Sequence, residues 1–525
     1  MFILIPVLIL FLIPLVILVL NQTEVRTGYA WFLALGAAIL AWIFFWIASG
    51  RTPALVPLMQ WQAEGLFPAT FTLLLDQISW PYALLVVALS LSVLLTDVLD
   101  YDEIDAQAWA SGLAITGLGV LAILAENPLT LLFAWSAMDI SETLMLLQRV
   151  PTRDFRERVV VAFSVRVAGI LLVLSAALRT RFQGGYLTFD QIPVSVRWYL
   201  LLAAGLRLGV FPPHQSFFRE VPLRRGLGTI VRLVPVASSL VLLARVANVG
   251  AMQQAVFPLL LGGVLAGLYG ALSWATAENE LDGRPDWILG MSAFSFVAAV
   301  KGMPQASVSW GMALIVSGGI LFLMSLPGRQ TLALGLIGLV SVSMLPYTPH
   351  WQGVRVYAGL HPGFLVPLIL AQIVLVFGYL GHLWPKFSSR SQVENWMLIL
   401  YPLGLALLPL SHWGVHLLGG GIAPPDSLPL ASHWWMGVVV LLVVAVSVVA
   451  SRQQITLPPQ LVVALGKGLS LQWLYRALWW SYRTLSKFFG AISSILEGEG
   501  GILWAILLLS LLVAVIQQWA GGLQP

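Results

Sequence analysis

The chain has 525 residues, 59% of them hydrophobic and 10% charged, with a mean hydropathy of +0.90. A soluble domain carries roughly 25% charged residues, so this composition excludes a water-soluble globular protein and demands a surface that faces hydrocarbon. The 27 basic and 23 acidic residues give no case for nucleic-acid binding, and the lack of cysteine excludes disulfides and thiolate-held zinc or iron–sulfur centres.

A helix needs ~20 apolar residues to span a bilayer, and in lipid its backbone must satisfy its own hydrogen bonds. Apolar runs that meet this demand lie at 2–20, 28–49, 80–97, 108–125, 129–147, 159–178, 198–212, 229–247, 254–274, 287–300, 306–326, 331–345, 362–384, 395–410, 433–450 and 501–518. They predict an all-α polytopic membrane protein of about 14–16 spans. The first run, MFILIPVLILFLIPLVILVL, has neither a basic n-region nor a small-residue cleavage site, which predicts a retained span.

Alternate loops differ in charge. One set carries most of the arginine and lysine, from Arg26, Arg149 and Arg153 to Arg483 and Lys487; the other carries Arg51, Arg179, Arg181, Arg197, Lys301 and Arg355. Positive charge is retained on the cytoplasmic side, which predicts a cytoplasmic first set and both termini on the opposite side. Between the last two spans, Leu471, Leu474, Leu478 and Leu485 recur at helical spacing among Arg476, Arg483 and Lys487. This predicts an amphipathic helix along the cytoplasmic interface, in contact with lipid; an ordinary juxtamembrane loop is the other reading. The expected organisation is a transmembrane domain over 1–450, that helix over 451–500 and a last span over 501–525.

Several segments resemble the antiporter-like membrane subunits of complex I and of multi-subunit sodium/proton antiporters. FTLLLDQISWPYALLVVALSLSVLL, with Asp76, is similar to the start of that family's third helix. ENPLTLLFAWSAMDISETLMLL resembles its fifth, with Asn127, Phe133 and Trp135. LRLGVFPPHQSFFREVP, with Pro212 and His214, resembles its seventh, and LVPVASSLVLLAR, ending at Arg245, its eighth. The resemblance implies inverted five-helix repeats (about 108–250 and 254–385), a lateral C-terminal helix and no redox cofactor. It implies neighbouring membrane subunits as partners and a role in proton translocation or, where pumping is lost, a structural role. It equally admits a stand-alone cation/proton antiporter or an ion-coupled carbon-uptake system. A different class, a structural subunit of another energy-converting or photosynthetic complex, is the remaining alternative.

The family's relay uses a glutamate after the fifth-helix tryptophan and lysines or histidines on the seventh, eighth, eleventh and twelfth helices. Here the first position is Ser136 and the seventh-helix position is Arg207. The only lysines are Lys301, Lys386, Lys467 and Lys487, and the eleventh and twelfth spans hold no titratable residue. Lysine can be moved across the working pH range by burial and a neighbouring carboxylate, whereas arginine keeps its proton.

Six residues are the candidate proton path: Asp139, Glu142, Arg166, Arg207, His214 and Arg232. Asp139 and Glu142 are one turn apart on the fifth span, and Asp139, one turn beyond Ser136, can replace the missing glutamate. If the span ends early, Glu142 is interfacial. Arg166, in mid-span, needs a counter-ion, with Asp139 the nearest candidate; the pair is a residual proton site or a structural ion pair. Arg207 and His214 flank Pro212 and Pro213, which predict a broken helix lining an ion path or a plain helix end. Arg232 is a counter-charge or snorkels to the surface. His350, His361, His382, His412, His416 and His433 fall near span ends. His412 and His416 have the i,i+4 spacing of a haem pair, but their segment reads as a Gly/Pro-bearing loop, so no cofactor is expected.

Overall fold

The computed structural model describes residues 3–22, 28–63, 67–100, 105–149, 152–185, 188–214, 223–326, 328–384, 394–417 and 430–453 and, of the C-terminal segment, 480–481, 483–488, 490–491, 493–494 and 504–513. The chain divides into two units, Met1–Leu469 and Ser470–Pro525.

The first unit runs α1 (Leu4–Gln22), α2 (Gly28–Ala48), β1 (Ala54–Ala63), β2 (Phe67–Leu75), α3 (Ser79–Thr96), α4 (Ala106–Ile123), α5 (Pro128–Arg149), α6 (Arg153–Phe182), α7 (Val194–Leu208), α8 (Arg225–Val249), α9 (Val256–Ala275), α10 (Arg284–Val300), α11 (Pro304–Leu323), α12 (Arg329–Ser343), a 3-10 segment (Trp351–Tyr357), α13 (Pro362–Leu383), α14 (Met397–Leu417) and α15 (Leu430–Arg452). Each helix coincides with one predicted span, and the helix Trp504–Val513 of the second unit lies inside the sixteenth. Among the described residues, eleven helices are long and apolar enough to cross a membrane. The protein is an all-α polytopic membrane protein. In the second unit Arg483, Leu485 and Lys487 are helical, whereas Leu471, Leu474, Arg476 and Leu478 of the expected amphipathic helix lie outside the described residues.

One element departs from the expectation of helices throughout. β1 and β2 pair antiparallel, Ala54 opposite Leu75 and Ala63 opposite Phe67, with a register shift between Pro57 and Met59. Pro53, Pro57 and Pro68 and the alternation of Thr70, Thr72 and their apolar neighbours oppose a helix and leave strand pairing to satisfy the backbone.

The helices pack in two sets of five. α4 packs on α5, α5 on α6, α6 on α7 and α7 on α8, and α8 returns to α4; α9 to α13 repeat this pattern, α13 returning to α9. Five is odd, so helices that cross alternately begin the second set on the opposite side, the geometry of an inverted repeat. The fourth helix of each set, α7 and α12, is cut short at 15 residues and followed by irregular chain. α7 stops at Gly209, whose φ of +78° is a left-handed stop that glycine accepts without strain. Its end at Leu208, four residues before the predicted limit of 212, places the break ahead of Pro212.

Burial follows position in the bundle. α8 and α11 are covered on all sides and α3 nearly so, while α1, α2 and α6 bury one face. α6 shows the bilayer's imprint: Arg158 and Arg179 near its ends are 21 residues apart, about 31 Å at 1.5 Å per residue, close to the hydrocarbon thickness. Arg166 therefore sits about 12 Å inside the Arg158 level.

Candidate functional site: a buried ion cluster across four helices

α5, α6, α7 and α8 each bring ionisable groups to one place. Asp139 and Glu142 are both 0% exposed, and Arg166, Arg207 and Arg232 are buried with them. Glu142 does not lie at the end of its helix: α5 continues to Arg149, two turns beyond it, and Arg166 of α6 pairs with it.

Arg207 grips Asp139 with two hydrogen bonds, Nη2 to Oδ1 at 2.8 Å and Nη1 to Oδ2 at 2.5 Å. Arg166 takes Glu142, Nη1 to Oε2, with Asp139 Oδ1 at 3.8 Å. The expected counter-ion Asp139 is within ion-pair distance of Arg166, and Glu142 joins it at closer range. Arg166 prefers the carboxylate one turn further along α5, because Arg207 from α7 occupies Asp139. The Arg207 guanidinium also lies 4.1 Å from the Trp135 ring centroid, a cation–π contact that holds it over α5. Trp135 is fixed in turn by donating to Ser238 at 2.9 Å. The Ser238 hydroxyl donates in turn to the Pro235 carbonyl of the same helix, α8, at 2.7 Å.

Arg232 is buried beside these groups and feels the charges of Glu142 and Arg166, so it is a counter-charge inside the bundle rather than a snorkelling residue. Two carboxylates then face three guanidinium groups, a formal excess of one positive charge. Glu142 Oε1 is buried and accepts no hydrogen bond among the described residues. A bidentate, desolvated pair such as Arg207–Asp139 is rigid, and a carboxylate, unlike a guanidinium, can in chemical principle take up a proton.

His214 is buried, but its hydrogen bond among the described residues is local, Nδ1 to the Pro212 carbonyl at 2.7 Å. It joins the α7 break and not the ion cluster. A second pair, which the sequence reading named only as separate residues, ties the ends of two other helices. Asp76 accepts from the Ser79 N–H at 2.7 Å and so caps α3, while its other oxygen takes Arg245 of α8 at 3.1 Å. No local pattern announces a partner 169 residues away.

His412 and His416 both lie on α14, so the expected Gly/Pro-bearing loop is a regular helix there despite Pro402 and Pro409. The stacked neighbour of His412 is His350, with centroids 4.2 Å apart and an interplanar angle of 23°. No group of three or more metal-ligating side chains occurs among the described residues.

No family model and no curated protein matches the sequence. Solved structures do share its fold. A chain of the membrane-bound sulfane sulfur reductase, an archaeal respiratory membrane complex, aligns with TM-score 0.67 and 14% identity, over 97% of this chain and 99% of that one. A chain of the Mrp complex from Dietzia sp. gives 0.72 and 14%, over 100% of this chain and 63% of its own length, so the present chain spans less than two thirds of that relative. A chain of respiratory complex I from Thermus thermophilus, solved with bound aureothin, gives 0.60 and 16%, over 79% of this chain and 100% of that one.

Proposed function

Taking as premise that the chain has the fold of the antiporter-like membrane subunits of energy-converting complexes, we propose that it is a membrane-arm subunit of a complex I-like quinone oxidoreductase and takes part in proton translocation by a reduced path. It carries no redox centre in this reading. It lies in a bacterial inner membrane or a thylakoid-type membrane with both termini on the non-cytoplasmic side, beside other membrane subunits. The carboxylates Asp139 and Glu142 are the proton-bearing groups, and Arg166, Arg207 and Arg232 are fixed charges that set how readily they accept a proton.

One observation carries this reading. Glu142 Oε1 is buried, ionisable and open, against a net positive surround. A purely structural pair gains nothing from leaving a charged oxygen unsatisfied. Proton uptake by proteoliposomes holding the native complex tests it. Glu142→Gln should lower flux at least tenfold while the assembled complex is recovered in normal yield, and Asp139→Asn should act in the same direction.

The scaffold reading has its own support, since every basic group in the cluster is arginine. Undiminished flux in both variants establishes that reading and removes the carboxylates from any path.

A further inference from the structure

Far along the chain from the ion cluster, His350 and His412 form a buried pair whose ring nitrogens have little to bind. His350 precedes the 3-10 segment Trp351–Tyr357 and His412 lies in α14; both are buried. His350 Nε2 and both nitrogens of His412 have no hydrogen-bond partner among the described residues. The planes are 23° from parallel, so the in-plane N–H bonds point past each other and the rings do not satisfy one another.

As packing, two phenylalanines would occupy such a site without burying polar nitrogens, which are costly when unsatisfied. What imidazole adds is the capacity to bind a proton. His416, half-buried one turn further along α14, acts electrostatically on both rings and is the more exposed base of the three.

The pair sits against a segment that is tied down by other means. Trp310 donates to the Gly353 carbonyl at 3.0 Å, Lys301 Nζ donates to Val356 at 2.8 Å and to Ala358, and Arg355 donates to Gln305 at 2.6 Å. Tyr357 donates to Gln372 at 2.5 Å. The neighbourhood offers a new positive charge nothing. α2, α3, α11, α12, α14 and α15 contain no aspartate or glutamate, and Asp286 lies in the first turn of α10, at the end opposite Lys301. The basic groups on these elements are Lys301, Arg355, Arg284, Arg329 and His416, with Arg51 just beyond α2, and the phenols are Tyr29, Tyr82, Tyr357 and Tyr401. The 97–100 turn, which also packs on α14, carries Asp97, but Leu95 and Thr96 just before it meet α14 at Gly404, two turns from His412; His433 and Arg452 of α15 lie outside the described side chains.

We propose that His350 and His412 form a proton-binding site that latches the segment Trp351–Tyr357: seated while both rings are neutral, released when one takes up a proton through His416. The ligand is the proton itself, and the released segment follows the shortened helix α12 by seven residues, 344–350. Burial, then the charges of His412 and His416, holds His350 well below the ordinary histidine range of 6.5. A base whose affinity for protons is lower in the seated form than in the released form favours the seated form at pH above its ordinary value. That preference is lost as pH falls below about 6.5.

Amide hydrogen exchange of the full-length protein in nanodiscs between pH 5 and pH 8, corrected for the intrinsic pH dependence of exchange, reads the latch. Protection across 350–358 should fall at least tenfold from pH 7.5 to pH 5.5, while α8 and α11 remain protected. The double variant His350→Phe with His412→Phe, which keeps an aromatic stack without a titratable nitrogen, should stay protected throughout. Protection of the unmodified protein that does not change with pH overturns the proposal. So does an unaltered pH response in the double variant where it keeps the protection of α8 and α11.

Discussion

At the residue scale, the difference between arginine and lysine decides what the ion cluster can do. Asp139 is held by both ends of the Arg207 fork and lies near Arg166, a geometry lysine cannot copy with a single ammonium. Removing one partner strands a buried charge, so Arg207→Met should destabilise the protein by roughly 3–5 kcal/mol. The double variant Arg207→Met with Asp139→Asn should recover part of that loss. Denaturation in mixed micelles checks the cycle, and strict additivity would show that the two groups do not interact. Lys301 is the contrasting case, because its burial pulls its pKa down to about 8. A lysine with a folded value below its ordinary 10.5 imposes a penalty that is fully present below about pH 8 and is relieved as pH rises toward 10.5. Amine labelling read by mass spectrometry should give Lys301 a half-point near 8, distinct from the ordinary lysine range.

At the element scale, the two five-helix sets depend on how closely helices approach. A side chain at Gly270 of α9 would meet the backbone of α10, with Gly290 N at 2.4 Å and Asp286 O at 2.9 Å. Small residues permit such approach, which in lipid replaces the hydrophobic drive for association. Gly270→Leu should therefore separate α9 from α10 and lower the thermal midpoint in detergent, whereas Gly36→Leu on α2, where nothing lies within 4 Å, should leave it unchanged. Equal effects would remove close helix contact as the reason for Gly270. The same scale explains the broken helices. α7 ends on the left-handed Gly209, and its last helical turn delivers Arg207 to Asp139.

At the scale of the whole molecule, burial runs from α8 and α11 outward to α1, α2 and α6. The outer helices expose Leu12, Leu15 and Val19 of α1, Phe32 and Ile47 of α2, and Leu171 of α6. These are surfaces for lipid or for neighbouring membrane subunits. If the chain is a membrane-arm subunit, purification in mild detergent should recover it with iron–sulfur and quinone-site subunits, identified by mass spectrometry. Recovery with antiporter subunits alone would move it to a stand-alone transporter.

The sequence by itself determined that the chain crosses the bilayer many times and where its helices run. It also supplied the six ionisable candidates, because transfer of apolar surface and of backbone groups into lipid is a local cost that each run of residues carries on its own. Local composition also marked the α7 break through Pro212 and Pro213. What only the tertiary structure decided was pairing: Arg207 as well as Arg166 on Asp139, Arg166 hydrogen-bonded to Glu142, Asp76 with Arg245, and His350 stacked on His412. Charges and rings meet across helices distant in the chain, and the hydrophobic pattern that places a helix in the membrane leaves its rotation and its neighbours open. The pairing of β1 with β2 was missed for a related reason, since a short apolar run satisfies its backbone as strand or helix according to what lies beside it.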